Sequence, residues 1–264
     1  MPLAYSTADA RVRDLDAMTM AEYANQQGWN SARLSWLIDQ ACKDDYGGTA
    51  ADISAWAAIH YFACRFYDRR VKEQYPTDTL TWPDGNQFLV QGMARDLNKD
   101  ECWLSTAVVG LLPVATTTQA LCIDTATGES LRVHAHSVVY AGKLHAAPYV
   151  VPDMPRQQRR AIEQLDYVPW LVAAVKLSSQ LGDSGLAWDN VLMGSPSAGY
   201  VSARHQTSPA ARPEGEVLVY YLPLIEDLTS TREQLLGDDP QPWANRVLAD
   251  LTRVHPHLPN LVEG

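Results

Sequence analysis

Long apolar runs, clustered basic residues and paired cysteines are all missing from this 264-residue sequence. No apolar run approaches the roughly 20 residues that a membrane span requires. Basic side chains number 21 against 31 acidic ones, for a net charge of −10. No basic run of useful length exists, so neither nucleic acid nor anionic membrane is an expected partner. The densest basic stretch, residues 156–160, is interleaved with two glutamines and reads as a solvated helix face. The four cysteines (Cys42, Cys64, Cys102 and Cys122) include no Cys-x-x-Cys pair. That implies neither a zinc site nor a disulfide framework, and they read as buried, reduced thiols. The N-terminal residues lack the charged-then-apolar layout of a signal sequence, so the expected location is cytoplasmic by default. Gly194-Ser195-Pro196-Ser197 is not the Gly-x-Ser-x-Gly of a hydrolase elbow, which disfavours Ser195 as a nucleophile. None of the fifteen glycines falls in a Gly-x-Gly-x-x-Gly run, the strand-to-helix turn at which a pyrophosphate meets a helix N-terminus.

At 46% hydrophobic composition the chain can bury a core, as one large domain or two small ones. Residues 1–16 read as polar and irregular. Thr19, followed three residues later by Glu22, is a capping box, and Gly28 closes that helix. Asn30-Ser31 starts a longer helix with Leu34, Leu37, Ile38 and Ala41 at helical spacing, ending near Asp45-Tyr46-Gly47-Gly48. A third helix, capped by Thr49 or Asp52, carries an aromatic-rich stripe that includes Trp56, Ile59, His60 and Phe62. His60 on that stripe reads as a core histidine rather than an acid or base. Asp44 and Asp45 are adjacent, so a turn or cap role suits them better than a working carboxylate pair.

The centre of the sequence is the stretch from residue 77 to 145. Trp82-Pro83-Asp84-Gly85-Asn86 is a Pro-x-Gly turn, followed by a helical pattern with Phe88, Leu89, Met93 and Leu97 on one face. Three β-rich runs follow, at 107–114, 120–124 and 131–141. Asp124 to Glu129 between the last two is a hairpin loop, with Gly128 where φ > 0 is tolerated. Pro113 makes its run an edge strand or forces a bulge. Residues 137–141 are nearly all apolar, as in a strand covered on both faces. His134 and His136 share one face of their strand, but no Asp, Glu or Cys lies at helpful spacing, so no metal is expected.

Pro-x-Gly turn, helix, β-meander and buried strand in that order resemble the middle section of FAD-dependent oxidoreductases of the flavin amine oxidase and phytoene desaturase superfamily. The Lys43-Asp44-Asp45-Tyr46-Gly47 turn and the Ser54-Ala55-Trp56 helix resemble one subgroup of NAD(P)/FAD-binding proteins, some of which carry twin-arginine export signals. The resemblance implies a mixed α+β fold in three parts: a helical part of a substrate domain at 1–76, a partial FAD-binding domain at 77–145, and a substrate-domain sheet with covering helices at 146–264. It further implies FAD as cofactor, with the turn Asp84, Gly85 and Asn86 lying against the flavin region and the backbone of Val109 meeting the adenine end. Relatives usually have a proline two positions after the strand that ends at Ala141; this chain has Gly142-Lys143-Leu144-His145.

Residues 152–166 read as a helix with Pro155 near its first turn, and 168–177 as a buried strand interior to a substrate-domain sheet. Amine oxidases carry a lysine in that strand that holds a water near the flavin N5. Lys176 is the candidate, although an ungapped match falls on Val175, and a shift of one residue reverses the face. Two further strands, 186–191 and 199–206, flank Ser195-Pro196-Ser197. The resemblance makes Trp188, Asp189, Asn190, His205 and Gln206 lining of the substrate cavity; as bare chemistry, Asp189-Asn190 is equally a turn dipeptide. A strand at 216–222, a helix opening at 229–233 and an amphipathic helix over 242–254 complete the pattern.

Without Gly-x-Gly-x-x-Gly or the C-terminal flavin loop, the sequence reads as an internal segment of such an enzyme. Two functions follow as expectations. One is a segment of an amine oxidase-like FAD oxidoreductase acting on a small organic molecule, with a homodimer or a partner chain supplying the missing flavin-binding part. The other is a non-catalytic substrate-domain remnant that serves as a binding or interaction module.

Overall fold

A computed structural model describes residues 9–65, 82–83, 85–182, 186–206, 214–237 and 239–263. The fold is mixed α+β and divides into two compact units, Met1–Asn86 with Val168–Gly264, and Gln87–Tyr167.

The first unit begins with a helical lobe of α1 (Ala10–Asp16), α2 (Met20–Gln26), α3 (Ala32–Tyr46) and α4 (Ala55–Arg65). Helix α1 replaces the irregular start expected from the sequence. Asp9 caps it by accepting from the Arg11 N–H at 2.9 Å, and Val12 gives it one buried anchor. Thr19 and Glu22 form the expected reciprocal capping box at α2. Helix α3 stops at Gly47, whose φ of 69° gives the left-handed cap that β-carbon-bearing residues resist. Ser54, rather than Thr49 or Asp52, accepts from the first turn of α4, taking the Ala57 N–H at 3.2 Å. Thr49 and Asp52 instead bond each other across the preceding turn. The lobe closes over Met20, Ile38, Cys42, Ala55 and Ala58.

The second unit opens with α5 (Gln87–Ala94), none of whose residues is buried. Its sheet is a meander in the order β1 (Thr106–Val114), β2 (Thr117–Asp124) and β3 (Ser130–Ala135), antiparallel throughout. Pro113 sits in β1 at the sheet edge, where its missing N–H leaves no ladder bond unmade. The bulge lies elsewhere, between Val108 and Gly110, with Val109 as the extra residue. Asp124 accepts the N–H groups of Ala126 and Thr127, and Gly128 has φ 78°, so the hairpin forms as its sequence indicates. The apolar run at 137–141 is not a strand: the ladder ends at Ala135 opposite Thr118, Val139 is 90% exposed, and no described strand pairs with the run's backbone. Helices α6 (Ala147–Val150) and α7 (Arg156–Glu163) follow, with α6 packed on β1.

The chain then returns to the first unit as β4 (Trp170–Leu177), β5 (Asp189–Asn190), β6 (Gly199–Ser202) and β7 (Glu216–Pro223), in the antiparallel order β4-β7-β6-β5. Strand β4 is therefore at the edge rather than in the sheet interior. Its burial alternates, with Leu171, Val175 and Leu177 inward and Val172, Ala174 and Lys176 outward, so one face is covered and one open. The covered face packs on α9 (Gln241–Thr252), which follows α8 (Leu228–Leu235). Leu218, Leu222, Val247 and Leu251 are each at most 1% exposed there. Full burial of each such side chain contributes roughly 1.5–3 kcal/mol. Among the described residues, no helix is long and apolar enough to cross a membrane.

Candidate functional site

The first unit holds a pocket of about 430 Å³ at the Leu177 end of β4 and the Glu216 end of β7, with Lys176, Arg204, Gln206, Glu216 and Val217 in its lining. Of the residues singled out from sequence, this pocket brings together Lys176 and Gln206. Lys176 projects from the open face of β4, and its Nζ lies 2.9 Å from Glu263 Oε2, both side chains being well exposed. Val175, the alternative position, points into the core. Gln206 lies in a single 3-10 turn, Ala203–Gln206, that ends β6 where a longer strand was expected. The His205 side chain lies outside the described residues.

Glu216 anchors the pocket wall. Its carboxylate is fully buried and accepts from Ser202 Oγ at 2.6 Å and from the Leu181 N–H at 3.1 Å, with Arg204 Nε 3.3 Å away. A buried carboxylate is tolerated only when its lone pairs are met in this way.

Trp188, Asp189 and Asn190 sit at the far edge of the same sheet. The Asn190 side chain both accepts the Ala187 N–H at 3.0 Å and donates to the Ala187 carbonyl at 2.8 Å, closing the turn before β5. Asp189 pairs with Val201, and Val201 with Val219, which sets Asp189 on the open face. Trp188 is half-exposed beside it. In the turn before α5, Gly85 has φ 58° and donates its N–H to the Trp82 carbonyl at 2.9 Å. Asn86 is exposed, and Asp84 lies outside the described residues. Val109, in the other unit, is the exposed bulge residue of β1.

Sequence reasoning missed a polar cluster behind the sheet. Asp250 of α9 is buried, and its Oδ2 accepts from Ser195 Oγ at 2.5 Å, the Tyr220 hydroxyl at 2.9 Å and Ser197 Oγ at 3.3 Å. Arg253 donates to its other oxygen at 2.9 Å. Burial, helped by the Asp250 charge, pushes the Tyr220 phenol up to about 12. Nearby, the Tyr200 hydroxyl and His255 Nε2 are 2.6 Å apart, both residues buried. The available signal was an acid on the apolar stripe of α9, between Val247 and Leu251. This cluster is sealed from the open face and ties the 192–198 loop to α9, an architectural role.

No described group of three His, Cys, Asp or Glu side chains stands close enough to hold a metal. His134 instead lies 3.2 Å from the Gln119 amide.

An antiparallel sheet with one open face and a helical lobe in one unit, and a β-meander in the other, make this a mixed α+β protein of two units. The chain belongs to the flavin containing amine oxidoreductase family, which it matches over residues 31–263. Its fold is similar to that of wild-type putrescine oxidase bound to putrescine, with a TM-score of 0.70 at 18% identity, covering 94% of this chain and 52% of that one. A triple mutant of putrescine oxidase redesigned for cofactor binding gives the same TM-score and identity, covering 93% and 52%. The chain thus spans about half the length of these solved structures. Among curated proteins no match is found.

The family's cofactor is a flavin. The residues present do not make a pyrophosphate cradle: no Gly-x-Gly-x-x-Gly run exists, and no described helix N-terminus opens from a glycine-rich turn.

Proposed function

We propose that this chain supplies the substrate domain and part of the flavin domain of an FAD-dependent amine oxidoreductase that acts on a small organic amine. The observation that carries this reading is family membership over residues 31–263, joined to a lysine on the open face of the substrate-domain sheet. In this reading Lys176 is the proton-handling residue, Gln206 and Trp188 border the substrate, and the turn at 84–86 and the Val109 bulge face the cofactor. The pyrophosphate-binding part comes from further polypeptide, in this chain or a partner. What supports that requirement is the uncovered apolar surface of the second unit, where Phe88, Met93 and Leu104 are 49%, 77% and 82% exposed.

The missing cradle favours a second reading, a binding module without catalysis. Absorption spectroscopy after FAD loading, followed by anaerobic addition of aliphatic amines, putrescine first, separates the two. Retained flavin that bleaches on adding amine supports the oxidoreductase. A folded chain that retains no flavin, alone or with flavin-domain polypeptide supplied, rejects it.

A further inference from the structure

Strand β7 has a pocket at each end. The second, of about 120 Å³, lies at the Pro223 end, roughly 20 Å along the strand from the Lys176 pocket at Glu216. Helices α3, α8 and α9 each supply part of its lining, together with the end of β7 and the residues after it. Leu222 and Leu224, 1% and 4% exposed, join Pro196 and Pro223 as the apolar part of the wall. The frame is fixed independently of any ligand. Leu224 donates its N–H to the Pro169 carbonyl at 2.9 Å. A Cβ on Gly47, the cap of α3, would lie 3.2 Å from the Trp170 indole nitrogen, so that end of the helix sits against the start of β4.

Into this pocket come two cations, Lys43 of α3 and Arg246 of α9, and one acid, Glu226. Among the described residues none of the three makes an ion pair. Lys43 is half-buried, a position in which a charge without a counter-charge is unfavourable. The Arg246 guanidinium lies 6.0 Å from the centre of the Trp243 ring, a cation–π contact that limits its wandering without using its donors. The Thr231 hydroxyl is already spent, donating to the Asp227 carbonyl at 2.9 Å. Two cations less one carboxylate leave a single positive charge, which suits a monoanion; a dianion would meet Glu226 with an extra like charge. Arginine's fork matches the two oxygens of a carboxylate. The apolar wall suits an alkyl tail, and the volume is well below the roughly 300 Å³ at which drug-sized ligands begin to fit.

We infer that this pocket binds a short-chain carboxylate, its oxygens meeting Lys43 and Arg246 and its tail lying on Pro196, Leu222 and Leu224. The site goes beyond the amine reading and does not depend on it.

The test is saturation-transfer NMR, with thermal melts, on the chain without added flavin or amine. The probes are sodium butyrate, 1-butanol and inorganic phosphate at constant ionic strength. Butyrate is expected to bind and to raise the melting temperature, with 1-butanol, which keeps the tail and lacks the charge, at least about tenfold weaker. K43M/R246M weakens butyrate about tenfold, at roughly fivefold or less per cation. E226Q removes the opposing charge and tightens butyrate by about twofold to fivefold, a gain that a merely structural role would not give. Should the double variant fold poorly, E226Q and the salt dependence of the wild type decide, since added sodium chloride weakens butyrate binding. Equal binding of butyrate and 1-butanol, butyrate binding indifferent to both substitution and salt, weaker binding in E226Q, or no binding by a folded chain overturns the site. Phosphate binding tighter than butyrate overturns the carboxylate as its ligand.

Discussion

The Tyr220 hydroxyl donates to Asp250 Oδ2 across 2.9 Å, joining the central β7 strand to helix α9 through a carboxylate that is 8% exposed. Asp250 also holds Ser195 and Ser197, so one acid fixes a strand, a helix and a loop. Replacing it with alanine removes the shared acceptor of three hydroxyls at a buried site, and only the Ser195–Ser197 contact is left to satisfy one of them. D250A is expected to lose about 3–5 kcal/mol of stability, and Y220F only about 1 kcal/mol, by chemical denaturation. Equal losses from the two would show that Asp250 is not the hub.

Gly199 is the position where a single methyl group should be least tolerated. A Cβ there would come within van der Waals distance of the Asn190 carbonyl, and φ +111° is already unfavourable for any L side chain. G199A is expected to cost about 3 kcal/mol or more, because the obstacle is backbone and cannot swing aside. A melting temperature within error of wild type would show that β5 and β6 are not held this closely.

Lys176 separates stability from chemistry. Its ion pair with Glu263 is exposed, so K176M should change folding stability by less than about 1 kcal/mol. If Lys176 handles the proton next to the flavin, the same variant should slow amine-dependent flavin reduction by roughly a hundredfold in stopped flow. An unaltered reduction rate would return Lys176 to a surface role.

The thiols should fall into two classes. Cys64 and Cys102 are exposed, while Cys42 and Cys122 are buried. Burial, with Asp39 and Asp52 nearby, pushes the Cys42 thiol up to about 12. Titration of the native protein with a thiol reagent is expected to modify two cysteines promptly and the rest only on unfolding. Four prompt reactions would mean that the helical lobe opens readily.

Local chemistry was legible in the sequence, and distant pairing was not. The Thr19–Glu22 capping box and the Asp124–Gly128 hairpin lie within six residues of their partners, so their signals are complete in a short window. The α1 helix was missed because its only cue is one capping aspartate. The apolar run at 137–141 misled because hydrophobicity reports a preference for burial, whereas a strand also needs backbone partners. Asp250 and Ser195 are 55 residues apart, and nothing near either names the other. Lys176 was visible as a lysine in a strand. Its face depended on a register that only the β4–β7 pairing fixes.

Alkaline pH should loosen the β7–α9 junction. The Tyr220 phenol titrates at about 12 in the folded chain against an ordinary 10.0. Between those values the unfolded chain has released the proton while the folded chain keeps it. The unfolded state then binds fewer protons, so stability falls as pH rises from 10 towards 12, and the contribution is fully present below 10. Cys42, raised from 9.0 to about 12, adds a fall of the same sign that begins one unit lower. Thermal melts across pH 8–12 should therefore steepen downward above 9, and Y220F should be shallower than wild type above 10 alone. Parallel profiles for the two proteins would mean that Tyr220 ionises in the folded state as readily as in the unfolded chain, which its burial against Asp250 does not allow.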